Sequence, residues 1–126
     1  NKIPQIAWLL FLANILWTTG YDTWYAMVDK DDDIKANSKS LAILLGDLDL
    51  LAIAIFYTVF LLSLVSIGLQ LQFPIIYYIC LGVAGIITLW QFKIAGMRHK
   101  EECFRAFLSN QWIGLVVFIG FVSAYL

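Results

Sequence analysis

The sequence predicts an all-α protein embedded in a membrane, a bundle of four transmembrane helices, and three observations carry that prediction. Of the 126 residues, 62% are hydrophobic and only 13% charged, with a mean hydropathy of +0.84. That is more apolar surface than a soluble domain of this length can bury. Nearly all the charges fall in two blocks, from Asp22 to Asp49 and from Lys93 to Arg105, while long stretches between them carry none. Finally, four apolar segments approach the ~20 residues that a helix needs to cross a ~30 Å hydrocarbon layer, where free backbone groups find no partners.

The first helix is expected from about Ile3 to Tyr21, with Pro4 in the first turn, where its missing N–H costs nothing. The second is expected from about Leu48 to Leu69, started by Asp47 and Asp49, whose charge suits the positive end of the helix dipole. The third runs from about Pro74 to Ala95 and the fourth from about Phe107 to Leu126. Gly68, Gly82, Gly85, Gly114 and Gly120 are placed for the close contacts by which membrane helices approach one another. Trp8, Trp90, Trp112, Tyr77, Tyr78 and Tyr125 lie near the expected helix ends, as interfacial aromatic residues do. Short connections and the lack of any repeat or low-complexity linker make residues 1–126 part of one transmembrane domain. The chain opens on Asn1, and its first apolar stretch lacks a basic flank and a small-residue cleavage site. It therefore does not read as a signal peptide, and the sequence is expected to begin within a longer protein.

Charge placement also predicts orientation. The linker after the first helix carries Lys30, Lys35 and Lys39, and that after the third carries Arg98, Lys100 and Arg105, whereas Gln70–Phe73 is uncharged. By the positive-inside rule both basic linkers face the cytoplasm. A net charge of −1 offers no reason to expect a nucleic-acid partner. Cys80 and Cys103 make no disulfide framework and read as structural thiols. His99, the only histidine, lies in a basic loop and reads as a solvated residue.

The segment after the first helix carries the chemistry. No Gly or Pro interrupts Tyr21–Asp33, so the helix can continue, and it then places Asp22, Asp29 and Asp33 at i, i+7 and i+11, within about 40° of one line. Like charges one turn apart destabilise a helix, and each Asp costs about 2.5–3.5 kcal/mol at the centre of a membrane helix. The stripe calls for a cation. Carboxylate oxygens suit Mg2+, which keeps some waters and is completed by substrate phosphates. Lys35 and Lys39, one turn apart, are placed to reach the same phosphate oxygens as point charges. Two plainer readings stand beside this one. An acidic run with interspersed Lys is often a solvated loop. A calcium loop starting at Asp29 fails, because its sixth position is Ile34 instead of Gly and its twelfth Ser40 instead of Glu.

The run YDTWYAMVDKDDDIKANSKSLAILLG, preceded by FLANILW, resembles the second aspartate-rich motif of the UbiA-type aromatic prenyltransferases, in particular the branch that prenylates 4-hydroxybenzoate. The later ECFRAFLSNQWIGLVVFIG is similar to that branch's last cytoplasmic loop and final helix, so the resemblance covers essentially the whole chain. It implies a nine-helix membrane bundle of which these residues supply the last four, with the remaining N-terminal helices carrying the other aspartate-rich motif. It implies a D-x-x-x-D pair on Asp29 and Asp33 as the catalytic metal ligands, and Asp22, Tyr25, Lys35 and Lys39 also match the branch pattern. Ala36 and Asn37 depart from that pattern, at positions that hold no metal ligand. The activity implied is Mg2+-dependent transfer of a polyprenyl group from polyprenyl diphosphate to 4-hydroxybenzoate in ubiquinone biosynthesis. The residues here would lack half of the diphosphate site. Alternatives are a branch with another acceptor, such as a quinone precursor or haem, and a membrane cation-transport subunit whose Asp stripe binds a permeating ion. Asn14 reads as an interhelical hydrogen-bonding residue, Arg98, Lys100 and Arg105 as topology-fixing charges, and Asn110 has no assigned chemistry.

Overall fold

The computed structural model describes residues 2–29 and 48–125. Four helices form there: α1 Lys2–Val28, α2 Asp49–Leu71, α3 Ile75–Ala95 and α4 Lys100–Ala124. Three of them, α2, α3 and α4, are long and apolar enough to cross a membrane, with mean hydropathies of 2.6, 1.8 and 1.6. Four helices thus stand where four spans are expected, three of them apolar enough on the described residues alone. At 27 residues α1 has the length, but Gln5, Asn14, Thr18 and Thr19 dilute its apolar content.

α4 begins seven residues before the expected Phe107, at Lys100, with Glu101 and Glu102 in its first turn. Those carboxylates favour a helix start through the dipole, a signal that the basic reading of this linker masked. Trp112 consequently sits mid-helix, not at an interface, and Tyr77 is fully buried, donating its hydroxyl to the Leu64 carbonyl at 2.6 Å. The uncharged connection between α2 and α3 turns at Gln72, which takes the left-handed conformation and donates its N–H to the Gly68 carbonyl, closing off the last carbonyls of α2.

The helices form a four-membered ring. α1 packs most extensively on α2, and α3 on α4; α1 also meets α4, and α2 touches α3 along a thinner seam. Side chains reach across the diagonals: Trp24 lies edge-on to Phe92 at 5.4 Å, and Tyr57 donates a 2.6 Å hydrogen bond to Asn110. Neighbours run antiparallel, so the end of α1, the start of α2 and the α3–α4 connection share one end of the bundle. Most of the charged side chains of the described residues gather there. The opposite end is aromatic, with Phe73 against Tyr77, Phe121 and Tyr125 at 4.8, 5.8 and 5.6 Å.

Of the five glycines expected at helix contacts, three serve as holes for side chains: Gly68 for Tyr77, Gly114 for Trp17 and Gly120 for Cys80. Gly82 has nothing within 4 Å of a built Cβ and Gly85 only Leu61 at 3.8 Å. Both instead border an open recess of about 600 Å³ between α2 and α3. The tightest of the five is Gly68, where a methyl group would come within 2.6 Å of the Tyr77 ring, a ring already pinned by its hydroxyl. Gly68→Ala is expected to cost about 1–3 kcal/mol through overpacking, read as a lowered thermal midpoint in detergent, whereas Gly82→Ala should be neutral.

Candidate functional site

The last turns of α1 pass straight through the first part of the acidic segment. Thr23 and Trp24 are fully buried on the inner face, which fixes the rotation of the helix and turns Asp22 and Tyr25 outward. Asp22 and Tyr25 are exposed and Asp29 is half-buried, its N–H still bonded to the Tyr25 carbonyl at 3.3 Å just beyond the helix end. The expected alignment of Asp22 with Asp29 is therefore held by helix geometry. Asp33, Lys35 and Lys39 lie outside the described residues. Among the described residues no group of three carboxylate, His or Cys side chains is arranged for a metal, and neither Asp22 nor Asp29 has an ion-pair partner.

A second regularity accompanies the carboxylates. Trp17, Tyr21, Tyr25 and Asp29 follow one another at i, i+4, i+8 and i+12, an aromatic ladder that climbs about 18 Å of helix to the carboxylate. Its rungs are in contact. Trp17 meets Tyr21 edge-on at 5.2 Å, and Phe107 of α4 packs on both Tyr21, at 6.0 Å, and Tyr25, at 4.9 Å. The sequence showed the carboxylate spacing plainly; the same four-residue step, read backwards from Asp29, would have exposed the ladder.

Below this end, Asn110 joins three helices. Its Oδ1 accepts from the Tyr57 hydroxyl at 2.6 Å and from Trp17 Nε1 at 3.3 Å, while its Nδ2 donates to the carbonyls of Ala106 and Phe107 at 3.0 and 3.1 Å. Every donor and acceptor of this buried amide is thereby used, as a low-dielectric interior requires. Beside it, Trp17, Tyr21, Phe107, Leu108, Asn110 and Gln111 line a recess of about 290 Å³ between α1 and α4. Gln111 itself is exposed, near the middle of α4, and has no side-chain hydrogen bond among the described residues. Asn14 is also exposed, so the interhelical bond expected for it is not made within these helices.

The charged end is braced by a pair that sequence reasoning missed. Asp49, read as a dipole-favouring first residue of α2, is completely buried and accepts from Arg98 Nε at 3.0 and 3.2 Å, Arg98 Nη2 at 2.9 Å and the Leu50 N–H at 2.7 Å. Arg98 takes the left-handed conformation, φ 62°, to reach it, a backbone cost of about 1–2 kcal/mol for a residue with a Cβ. The pair ties the first turn of α2, and with it the chain leaving the acidic segment, to the α3–α4 connection. Arg105, by contrast, lies over the Trp90 ring at 5.8 Å and bonds Glu102 at 2.9 Å on an exposed face. Such an arrangement contributes little to stability. Cys103 is buried as a free thiol, in agreement with a packing role.

Comparison with known proteins adds the family. The UbiA prenyltransferase family matches residues 1–122. The chain is 49% identical to the 4-hydroxybenzoate octaprenyltransferase of Xanthomonas euvesicatoria pv. vesicatoria (strain 85-10), over 98% of this chain and 41% of that protein. It is 51% identical to the protein of that name from Xylella fastidiosa (strain M23), over 98% of this chain and 42% of the relative. With the protein of that name from Xanthomonas oryzae pv. oryzae (strain PXO99A), the figures are 48%, 98% and 42%. The chain thus spans about two fifths of the length of these relatives. No solved structure gives a significant match.

Proposed function

Since the chain belongs to the UbiA prenyltransferase family, we propose that the intact protein transfers a polyprenyl group from polyprenyl diphosphate to the ring of 4-hydroxybenzoate, in ubiquinone biosynthesis, in a bacterial inner membrane with the charged end of the bundle in the cytoplasm. The observation that carries this reading is a pair of carboxylates aligned along α1, Asp22 exposed and Asp29 half-buried, without a cationic partner among the described residues. They occur in a chain about half identical to proteins named for that reaction.

The donor set fits Mg2+: hard carboxylate oxygens, fewer of them than a full protein cage, at the end of the bundle where phosphate oxygens would complete the shell. Asp29 and Asp33, four residues apart in the sequence, would hold it, and Asp22, about 10 Å before Asp29 along α1, would act on it through water. When bound, Mg2+ supplies positive charge against the negative charge that develops on a departing diphosphate. Lys35 and Lys39 are assigned the remaining phosphate oxygens, and the Tyr25 phenol, one turn before Asp29, a hydrogen bond to the same group. In the reaction the allylic C1–O bond breaks with its electron pair leaving on diphosphate. A ring carbon of the acceptor supplies the pair for the new C–C bond, and loss of the proton from that carbon restores aromaticity. The aromatic ladder on α1 provides a dry wall along the path of the allylic cation, which keeps water from capturing it.

Purified full-length protein given polyprenyl diphosphate, Mg2+ and competing acceptors tests this directly. Prenylated 4-hydroxybenzoate is the expected product; exclusive turnover of a quinone precursor or of haem would move the protein to another branch of the family. The cation-transport alternative loses its basis with the family match. The polar groups within the helices are committed to the bundle: Asn110 Nδ2, Gln91 Nε2 and the Thr88 hydroxyl each donate to neighbouring backbone or side chains.

A further inference from the structure

Asn110 is a costly residue to place where it stands. It is 4% exposed and lies about 15 Å along α4 from Lys100 at the charged end, a depth at which a carboxamide is tolerated only with its polar atoms bonded. Cohesion alone does not call for it, since an amide and its partner replaced together by apolar groups of similar shape leave stability nearly unchanged. Its two ring donors differ in what the bond does for them. Tyr57 is 1% exposed, and its ring lies against Gly20 of α1, where a built Cβ would meet Cζ at 3.1 Å, so packing already fixes it. Trp17 is half-buried at the margin of the bundle and has room to turn.

Three contacts define the Trp17 indole. It stacks on Phe60 at 6.1 Å with 16° between the planes, its six-membered ring fits the hole at Gly114, where a built Cβ would come within 3.0 Å of Cη2, and Nε1 donates to Asn110 Oδ1 at 3.3 Å. A half-turn about the Cβ–Cγ bond, whose preferences are broad and roughly two-fold for an aromatic side chain, keeps the ring in the same plane. It would swing the six-membered ring out of the Gly114 hole and point the N–H away from Asn110. The hydrogen bond is the directional contact that selects the observed orientation. Trp17 also stands between two recesses on the α1–α4 side, of about 290 Å³ towards the charged end and about 220 Å³ below, and borders both. The next rung, Tyr21, leans on the indole at 5.2 Å, so the orientation of Trp17 is passed up the ladder towards Asp29.

We propose that Asn110 is a positioning residue for prenyl transfer: its amide oxygen locks the Trp17 indole in one of two orientations and occupies the N–H that would otherwise hold a water molecule in the wall facing the allylic cation. The inference rests on the proposed prenyl-transfer function. An indole N–H without a protein acceptor at the edge of a recess takes a water, and the gap left at Gly114 would give that water room. The water oxygen would then bond to the allylic C1 and lose one proton, so that the donor leaves as polyprenyl alcohol and diphosphate instead of as prenylated acceptor. With Nε1 bound to Asn110 and the hole filled, the wall presents ring carbon at this level, and the cation survives until the acceptor's ring supplies its electron pair.

The test follows the fate of the donor in the full-length protein, with polyprenyl diphosphate isotope-labelled in the prenyl group and the products separated into prenylated 4-hydroxybenzoate and polyprenyl alcohol. Tyr57→Phe removes the other donor and leaves Trp17 bonded to Asn110, so its ratio of alcohol to prenylated product should match the parent's. Asn110→Leu combined with Tyr57→Phe keeps the buried side matched and releases the indole alone. There the ratio should rise about five- to tenfold, the shift in population that one lost hydrogen bond allows. Gly68→Ala, which strains the far end of the bundle, should lower the thermal midpoint and leave the ratio unchanged. An unchanged ratio in the double variant would make Asn110 a helix contact and overturn the proposal. An equal rise in Tyr57→Phe or Gly68→Ala would trace the leak to loose packing, with the same consequence. So would a double variant that does not fold, since the amide would then serve cohesion. A parent protein that does not prenylate 4-hydroxybenzoate at all would instead remove the functional reading beneath, so the two failures are separable.

Discussion

Asp29→Ala in the full-length protein is expected to lower kcat by about 10²-fold or more, the scale on which removal of one charge-stabilising group acts at a site where charge develops. The reason is local. Asp29 is held at the end of α1 by a backbone bond to Tyr25 and stands without a cation beside it among the described residues, so its charge is free to be spent on a metal–diphosphate complex. Asp33→Ala is expected to match it. Asp22→Ala should be milder, since Asp22 lies nearly two turns before Asp29 and is the more exposed of the two. Titration with Mg2+ separates the roles: a ligand variant needs more Mg2+ for half-maximal rate, while a variant that merely disturbs α1 loses rate at every Mg2+ concentration. Full activity in both Asp29→Ala and Asp33→Ala would end the assignment.

Arg98→Leu should destabilise the bundle by about 2–3 kcal/mol. Breaking a fully buried ion pair costs more, about 3–5 kcal/mol, because it strands a charge without solvent. Asp49 is 0% exposed, but the Arg98 side chain is 42% exposed, so part of the interaction is screened by water. The double variant Asp49→Leu with Arg98→Leu leaves neither of the two charges facing the other's absence and should be less damaged than the sum of the single variants, by more than about 1 kcal/mol for groups in direct contact. Thermal midpoints in one detergent would show it. Strict additivity would mean that the two side chains act independently, contrary to the 2.9–3.2 Å geometry.

The contrast between these two sites shows what could be read from the chain. Helix positions followed from apolar length, and the Asp22–Asp29 alignment followed from helical period alone, because both are local properties of the backbone. The Asp49–Arg98 pair joins residues far apart in sequence, and only packing brings them together; from the sequence, an acidic residue at a helix start looked sufficient by itself. Asn110 failed to announce its role for the same reason, since its partners Trp17 and Tyr57 come from two other helices. The start of α4 was misplaced because its first two turns are charged and so looked like a loop, although Glu101 and Glu102 at that point favour a helix. The glycines were half legible: a small residue marks a place where something can approach, and it was the neighbouring Tyr77, Trp17 and Cys80 that decided where something does.

The thin seam between α2 and α3, open at Gly82 and Gly85, bears on the order of assembly. The most extensive packing joins helices that are neighbours along the chain, α1 with α2 and α3 with α4. Each such hairpin can therefore form from nearby contacts as it enters the bilayer, without waiting for the other, as helices that are separately stable in lipid do before they associate. What then joins the two hairpins is a small set of polar bonds that only the second can complete, chiefly those from Tyr57 and Trp17 to Asn110 and from Arg98 to Asp49. Insertion of the α1–α2 hairpin leaves a carboxylate and two ring donors waiting for partners synthesised about fifty to ninety residues later, so docking of the α3–α4 hairpin is the event that locks these four helices together.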